Sequence, residues 1–260
     1  MWQPDGAGSR ARIGVLTPHL DPVPESEFQA LAPAGVSIHA ARVPLGIVGP
    51  DGGIIPGVDA DIARAFAEPP AVDDAAALLA TLAPHAVVYA FTSSSYIGGP
   101  DADAVLRARL EERLQGVPVV IQAAALVTAL RALRADRIAL IHPPWFSPEL
   151  SALGADYYRT QGVDVVYHGP AALRRDDGDI RPDQIFDWAK AHVPDDAAAL
   201  VIGGGGFRAI GAIDALETAL DRPVLSANQA SFWCALRVSG VDDRVANYGR
   251  IFSMGLPNAC

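Results

Sequence analysis

Short runs of β-branched and aliphatic residues alternate along the chain with longer Ala- and Leu-rich stretches whose apolar positions recur at helical spacing. The runs predict strands at 13–16, 86–91, 118–121, 138–141, 163–167, 200–202 and 223–225. The stretches predict helices at 73–82, 101–115, 124–133, 148–161, 182–192, 209–220 and 231–238. Glycine and proline punctuate the ends of most of them. Alternation of this kind winds into parallel sheets covered by helices, so the expected fold class is α/β.

The order of the elements repeats. Segment 12–18 (RIGVLTP) echoes 137–143 (RIALIHP), and a strand over 87–92 running into serines matches 200–202 running into four glycines. A third pair sets 117–121 before 122–124 against 222–225 before 226–230. Three elements in one order predict two similar Rossmann-like or flavodoxin-like halves, 1–124 and 125–230, related by a pseudo-twofold. The last segment, 231–260, is expected to supply a helix and tail that pack back on the first half. The carboxyl ends of both sheets would then face one ligand cleft.

Half of the 260 residues are apolar, enough to bury a sizeable core without a staple. The net charge of −10 argues against nucleic acid and anionic membrane surfaces, which need clustered Lys and Arg. Residues 1–12 lack the apolar core of an export signal, and no run reaches the roughly 18 apolar residues of a membrane span. With two cysteines, Cys234 and Cys260, and no C-x-x-C pair, a reducing, cytoplasmic setting is expected.

Candidate chemistry gathers where strands end. Thr92, Ser93, Ser94 and Ser95 form a hydroxyl-rich turn that can cradle a carboxylate or an oxyanion, or simply cap a helix. Gly204, Gly205 and Gly206, after Gly203, let a backbone approach a ligand closely; tight packing explains one or two of them more readily than all four. Their spacing does not make a dinucleotide fingerprint. Thr17, Pro18, His19 and Asp21 end the first strand, and His142, Pro144 and Trp145 end its counterpart. A loop histidine is more often structural than catalytic, and Asp21 can merely open a turn before Pro22, with Glu25 and Glu27 solvated or capping. Asn228 can bond a ligand or pin the opposite loop. Segment 46–57, rich in Gly and Pro, reads as a cover over the cleft, and 176–179 as a solvated loop.

The chain resembles the aspartate/glutamate racemase superfamily, in the branch of maleate cis-trans isomerases and arylmalonate decarboxylases. Thr17-Pro18 with Glu25, Glu27 and Phe28 carries the resemblance, together with 87–94, 204–206, Asn228-Gln229-Ala230 with Trp233, and Gly249-Arg250 with Phe252. The resemblance implies catalysis by cysteine thiols, one in each half. Here the first would fall at or beside Thr92 and the second at Gly204, and Cys234 matches neither. A thiolate is both nucleophile and proton carrier near neutral pH, so two-cysteine racemisation and isomerisation through a thioether are not expected.

The leading expectation is a cysteine-independent lyase or isomerase for a small carboxylate or dicarboxylate. Ser93 and Ser94 would bind the carboxylate, and the backbone of 204–206 would complete an oxyanion site. Pro144 and Trp145 would form an apolar wall, and Asp21, His19 or His142 would move the proton, with Thr92 at the family's thiol position. The alternative is a carboxylate-binding or sensing protein without turnover. A third reading, metal-assisted hydrolysis or hydration, would need His19, Asp21 and His142 to converge, although they lack ligand spacing. No cofactor or metal is expected, and a homo-oligomer follows only from the resemblance.

Overall fold

The computed structural model describes residues 7–46, 59–174 and 180–257. Their strands are β1 (Ala11–Pro18), β2 (Val36–Val43), β3 (Ala86–Tyr89), β4 (Val119–Ile121), β5 (Arg137–His142), β6 (Asp164–Pro170), β7 (Ala199–Ile202) and β8 (Val224–Ser226). All pairings are parallel, in two four-stranded sheets of order β2-β1-β3-β4 and β6-β5-β7-β8. The inner strands read as unbroken apolar runs because helices cover both faces.

The helices are α1 (Val23–Leu31), α2 (Ala60–Ala67), α3 (Ala71–Ala80), α4 (Thr92–Arg113), α5 (Gln122–Leu133), α6 (Pro148–Arg159), α7 (Pro182–His192), α8 (Ile210–Leu220) and α9 (Ala227–Val238). None of the described helices is long and apolar enough to cross a membrane. Alternate residues of the first sheet serve two cores. Ile13, Val15 and Val88 join a large cluster with α5, α9 and the second sheet, whereas Leu16, Val87 and Tyr89 pack on Phe66, Leu79 and Leu110 of α2 to α4.

Three expectations change. Residues 92–95 are not a loop but the first turn of α4, which kinks at Gly99 before Pro100; the expected helix at 101–115 is its second part. Asn228 and Gln229 lie in the first turn of α9 rather than at the end of a strand, and 124 falls inside α5. α1, α2 and β2 had no counterpart among the expected elements. The expected cover at 46–57, past Gly46, and the acidic 176–179 lie outside the described residues.

α9 packs on α5, α1 and β3. The Phe28 and Phe232 rings meet at 4.9 Å. Trp233 Nε1 donates to the Met254 carbonyl at 3.0 Å, and the buried Arg237 guanidinium donates to the carbonyls of Val241, Phe252 and Met254. These bonds hold the tail and satisfy a buried cation with backbone oxygens.

Candidate active site

The α4 turn begins as β3 ends, so the N–H groups of its first residues have no partner within the helix and point past the sheet edge. The four hydroxyls on this turn diverge. Ser94 Oγ lies 2.9 Å from Tyr89 Oη and bonds the Phe91 carbonyl, which commits it to the first-half core. Ser95 is buried on the side of Asp103. Thr92 and Ser93 complete the turn and are buried as well, Thr92 beside the Tyr96 hydroxyl, and the Tyr89 bond takes Ser94 out of the expected pairing with Ser93.

The glycine loop runs past this turn. A Cβ built on Gly205 would stand 3.5 Å from the Ala90 carbonyl and 3.1 Å from Gln122 Oε1, so the two strand-end segments do meet. On Gly206 it would stand 3.0 Å from Asp21 Oδ2 and 3.4 Å from the Trp145 ring. Asp21 and Trp145 thus reach the loop from the first and third segments singled out in the sequence. Gly204 has φ +86°, and its Cβ would lie 2.8 Å from the Pro143 ring. That position excludes an L side chain both by conformation and by contact. All four glycines therefore have close neighbours, and packing alone accounts for Gly203 and Gly204.

A buried carboxyl that the sequence reading left out of the site holds the loop. Glu27 Oε1 accepts from the Ile210 N–H at the start of α8 (3.1 Å), and Oε2 accepts from Asn228 Nδ2 (2.7 Å). Asn228 Nδ2 also donates to the Gly205 carbonyl at 2.7 Å, and Oδ1 accepts from Gln122 Nε2 at 2.8 Å. Asn228 is fully used in pinning the loop and is not available to a ligand, so its structural alternative is the one observed. Burial pushes the Glu27 carboxyl up to about 7 against the opposing bonds from Asn228, Ile210 and Ala209, and the nearby Asp21 charge adds to the rise.

Neither histidine is placed as a general base. His19 is exposed, and its Nδ1 accepts the Leu45 N–H at 3.0 Å. His142 is buried beneath Gly203, with Nδ1 2.9 Å from Ser151 Oγ, and burial together with His168 pushes it down to about 3. Asp21 keeps its turn role, since Oδ1 accepts the Val23 N–H at 3.0 Å, yet its other oxygen faces Gly206. Thr17 Oγ1 donates to the Asp21 carbonyl at 3.4 Å, and Thr17 and Pro18 are buried under this corner. Pro144 and Trp145 are half-buried, and Trp145 meets Phe207 edge-on at 6.1 Å. Among the described residues no three His, Cys, Asp or Glu side chains converge, so His19, Asp21 and His142 do not form a ligand set.

The arrangement brings a helix N-terminus that carries two hydroxyls close to a glycine backbone flanked by one carboxylate and an indole. The family model of arylmalonate decarboxylase matches residues 68–252. A maleate isomerase of Nocardia farcinica is 26% identical over 251 residues, covering 92% of this chain and 94% of that protein. One from Alcaligenes faecalis is 24% identical over 265 residues, covering 95% and 98%. The maleate isomerase Iso of Pseudomonas putida has the same fold, with a TM-score of 0.78 at 22% identity over 94% of this chain and 98% of that one. Unliganded arylmalonate decarboxylase gives 0.73 at 22%, over 93% and 98%. The match spans both sheets and most of the chain: this protein belongs to the arylmalonate decarboxylase family.

Proposed function

We propose that this protein is a lyase or isomerase that acts on a small carboxylate or dicarboxylate without a thiol. The observation that carries the reading is the α4 turn bearing Thr92 and Ser93, which follows Ala90, whose carbonyl the glycine loop approaches, together with Gly204, where a side chain would be strained. Cys234, the one cysteine among the described residues, is buried within α9. By contrast, a Nocardia farcinica maleate cis-trans isomerase mutant holds a covalently bound succinylcysteine intermediate.

Without a thiol adduct, the family's carbon-acid chemistry reduces to stabilising an enediolate. When a malonate-like substrate loses CO2, the C–C bond pair moves onto the remaining carboxylate, and a proton then adds at carbon. Charge grows on carboxylate oxygens, where the α4 N-terminus and two hydroxyls stabilise it more in the transition state than in the substrate. The indole of Trp145 beside Gly206 would keep the departing carboxylate poorly hydrated. Asp21 is the titratable group positioned at the loop.

The test is a mass-spectrometric screen of small mono- and dicarboxylates, including maleate and substituted malonates. Product from the wild type, with kcat lowered about 10²-fold or more in Ser93→Ala, is the expected result. Binding of an acid without product in prolonged incubation would instead establish the binding-protein reading, which the commitment of His19 Nδ1 to the Leu45 N–H favours.

A further inference from the structure

Carbanion chemistry needs a proton path, and the layer beneath Gly203 contains one. Tyr96 follows Thr92 by one helical turn, and its Oη lies beside the Thr92 and Tyr158 hydroxyls without a well-formed bond to either. The Tyr96 and His142 rings meet edge to face with centroids 5.4 Å apart. A Cβ on Gly203 would stand 2.9 Å from both His142 Nε2 and Tyr96 Oη, so the two polar atoms lie against the same side of this glycine. On the other side Gly154 of α6 brings the helix against the His142 ring.

Polar atoms in this layer are buried yet unpaired: His142 Nε2, Tyr96 Oη, Tyr158 Oη and Ser95 Oγ. A buried polar atom without a partner is destabilising, so the layer is poor packing for its own sake. From the other face of His142 the path leads outward. Nδ1 lies 2.9 Å from Ser151 Oγ, and Ser151 Oγ lies 3.4 Å from His168 Nδ1 on the half-buried edge strand β6. A serine hydroxyl has one proton, so it donates to one imidazole while accepting from the other.

We propose that His142, Ser151 and His168 form a proton relay joining the Thr92 and Tyr96 hydroxyls at the cleft to solvent at the edge of the second sheet. The relay rests on the carbanion chemistry proposed above. Inward, His168 passes its Nδ1 proton to Ser151, and Ser151 passes its own to His142 Nδ1. His142 then releases its Nε2 proton toward Tyr96, Tyr96 passes its hydroxyl proton to Thr92, and Thr92 passes its own to the substrate carbanion, while His168 Nε2 takes a proton from solvent. No charge rests on His142, which only exchanges tautomers, and a return transfer or ring flip resets it. This mode suits a ring that burial holds neutral and that His168 further discourages from charging. The other groups facing the layer are Phe146, stacked on His142 at 5.0 Å, Tyr157, and Asp103, which accepts from Tyr157 at 2.7 Å. These are positioning groups, since none of them touches the cleft directly.

The experiment follows exchange of the His142 Nε2 proton with water, by saturation transfer from water in the 15N-histidine-labelled full chain. Ser151→Ala is expected to slow this exchange at least tenfold while the backbone spectrum stays folded. A purely structural serine predicts the opposite sign, because the cavity left by the hydroxyl loosens packing and hastens exchange. His168→Leu, at a half-buried edge position, is expected to slow exchange as well, and decides the matter if Ser151→Ala does not fold. Unchanged or faster exchange in the folded variants overturns the relay. Turnover is scored separately: slowed exchange with no acid converted would refute the reaction and leave the relay standing, and unchanged exchange with turnover would do the reverse.

Discussion

Glu27→Ala is expected to lower the folding free energy at pH 6 by about 2–4 kcal/mol, read as a fall in the urea midpoint with unchanged slope. The alanine removes the acceptor of two buried donors, the Ile210 N–H and Asn228 Nδ2. Both donors belong to buried residues, so each loses bonding energy that solvent replaces poorly. The damage should also reach the cleft, because the same Asn228 amide holds the Gly205 carbonyl and receives Gln122. A loss below about 1 kcal/mol would mean that the network rearranges around the gap and that Glu27 does not organise the loop.

Glu27 also sets a pH dependence with a definite sign. Its carboxyl rises from 4.5 in the unfolded chain to about 7 in the folded one, mainly through burial. Between those values the folded state retains a proton that the unfolded state has lost. The group's contribution is therefore complete below about pH 4.5 and is lost as pH climbs through 7. Proton access comes from the groove between α1 and α8, about 400 Å³, which Glu27 lines with Ser26, Pro182 and Arg208. Glu27→Gln removes the titration while keeping the shape. The stability advantage of wild type over this variant should shrink by roughly 2–3 kcal/mol between pH 5 and pH 8. A constant difference across that range would show that the carboxylate stays ionised.

The contrast between what could and could not be read from the chain follows the range of the forces involved. β1, β3, β5 and β7 show as contiguous apolar runs because each is buried on both faces. β2 was missed because it is an edge strand with Ser37, His39 and Arg42 facing partly outward, which breaks the pattern. α1 was hidden by Pro24 and two glutamates, one of them, Glu27, buried. Strand ends located Thr92, Gly204 to Gly206, Asp21 and Trp145, since chemistry on a parallel sheet concentrates there. Which hydroxyl turns inward was not legible: Ser94 is drawn away by Tyr89, a neighbour across the strand-helix turn rather than a motif partner. The Glu27, Asn228 and Gln122 network joins residues 201 and 106 positions apart, a distance over which no local signal exists. The echo of Glu27 among the family-like residues was the one cue available.

The largest expected effect on the glycine loop is that of introducing a thiol. Gly204→Cys is expected to destabilise the protein by roughly 2–5 kcal/mol, whereas Thr92→Cys should cost less than about 1.5 kcal/mol. The difference lies in the backbone. At 204 a Cβ would need both a left-handed residue, φ +86°, and displacement of the Pro143 ring from 2.8 Å, and that ring is fixed by its own chain. At 92 the residue is the first of a helix, with ordinary geometry and a side chain of nearly the same volume. A thiol there would sit at the α4 N-terminus, which favours the thiolate and should make it react with iodoacetamide faster at pH 7 than Cys234, which is buried within α9. If Gly204→Cys proves as stable as the parent, the loop adapts to a side chain and the steric argument fails. If it is destabilised while Thr92→Cys is folded and reactive, the second half of this cleft cannot carry a side-chain thiol without remodelling. That outcome is the one the thiol-free proposal requires.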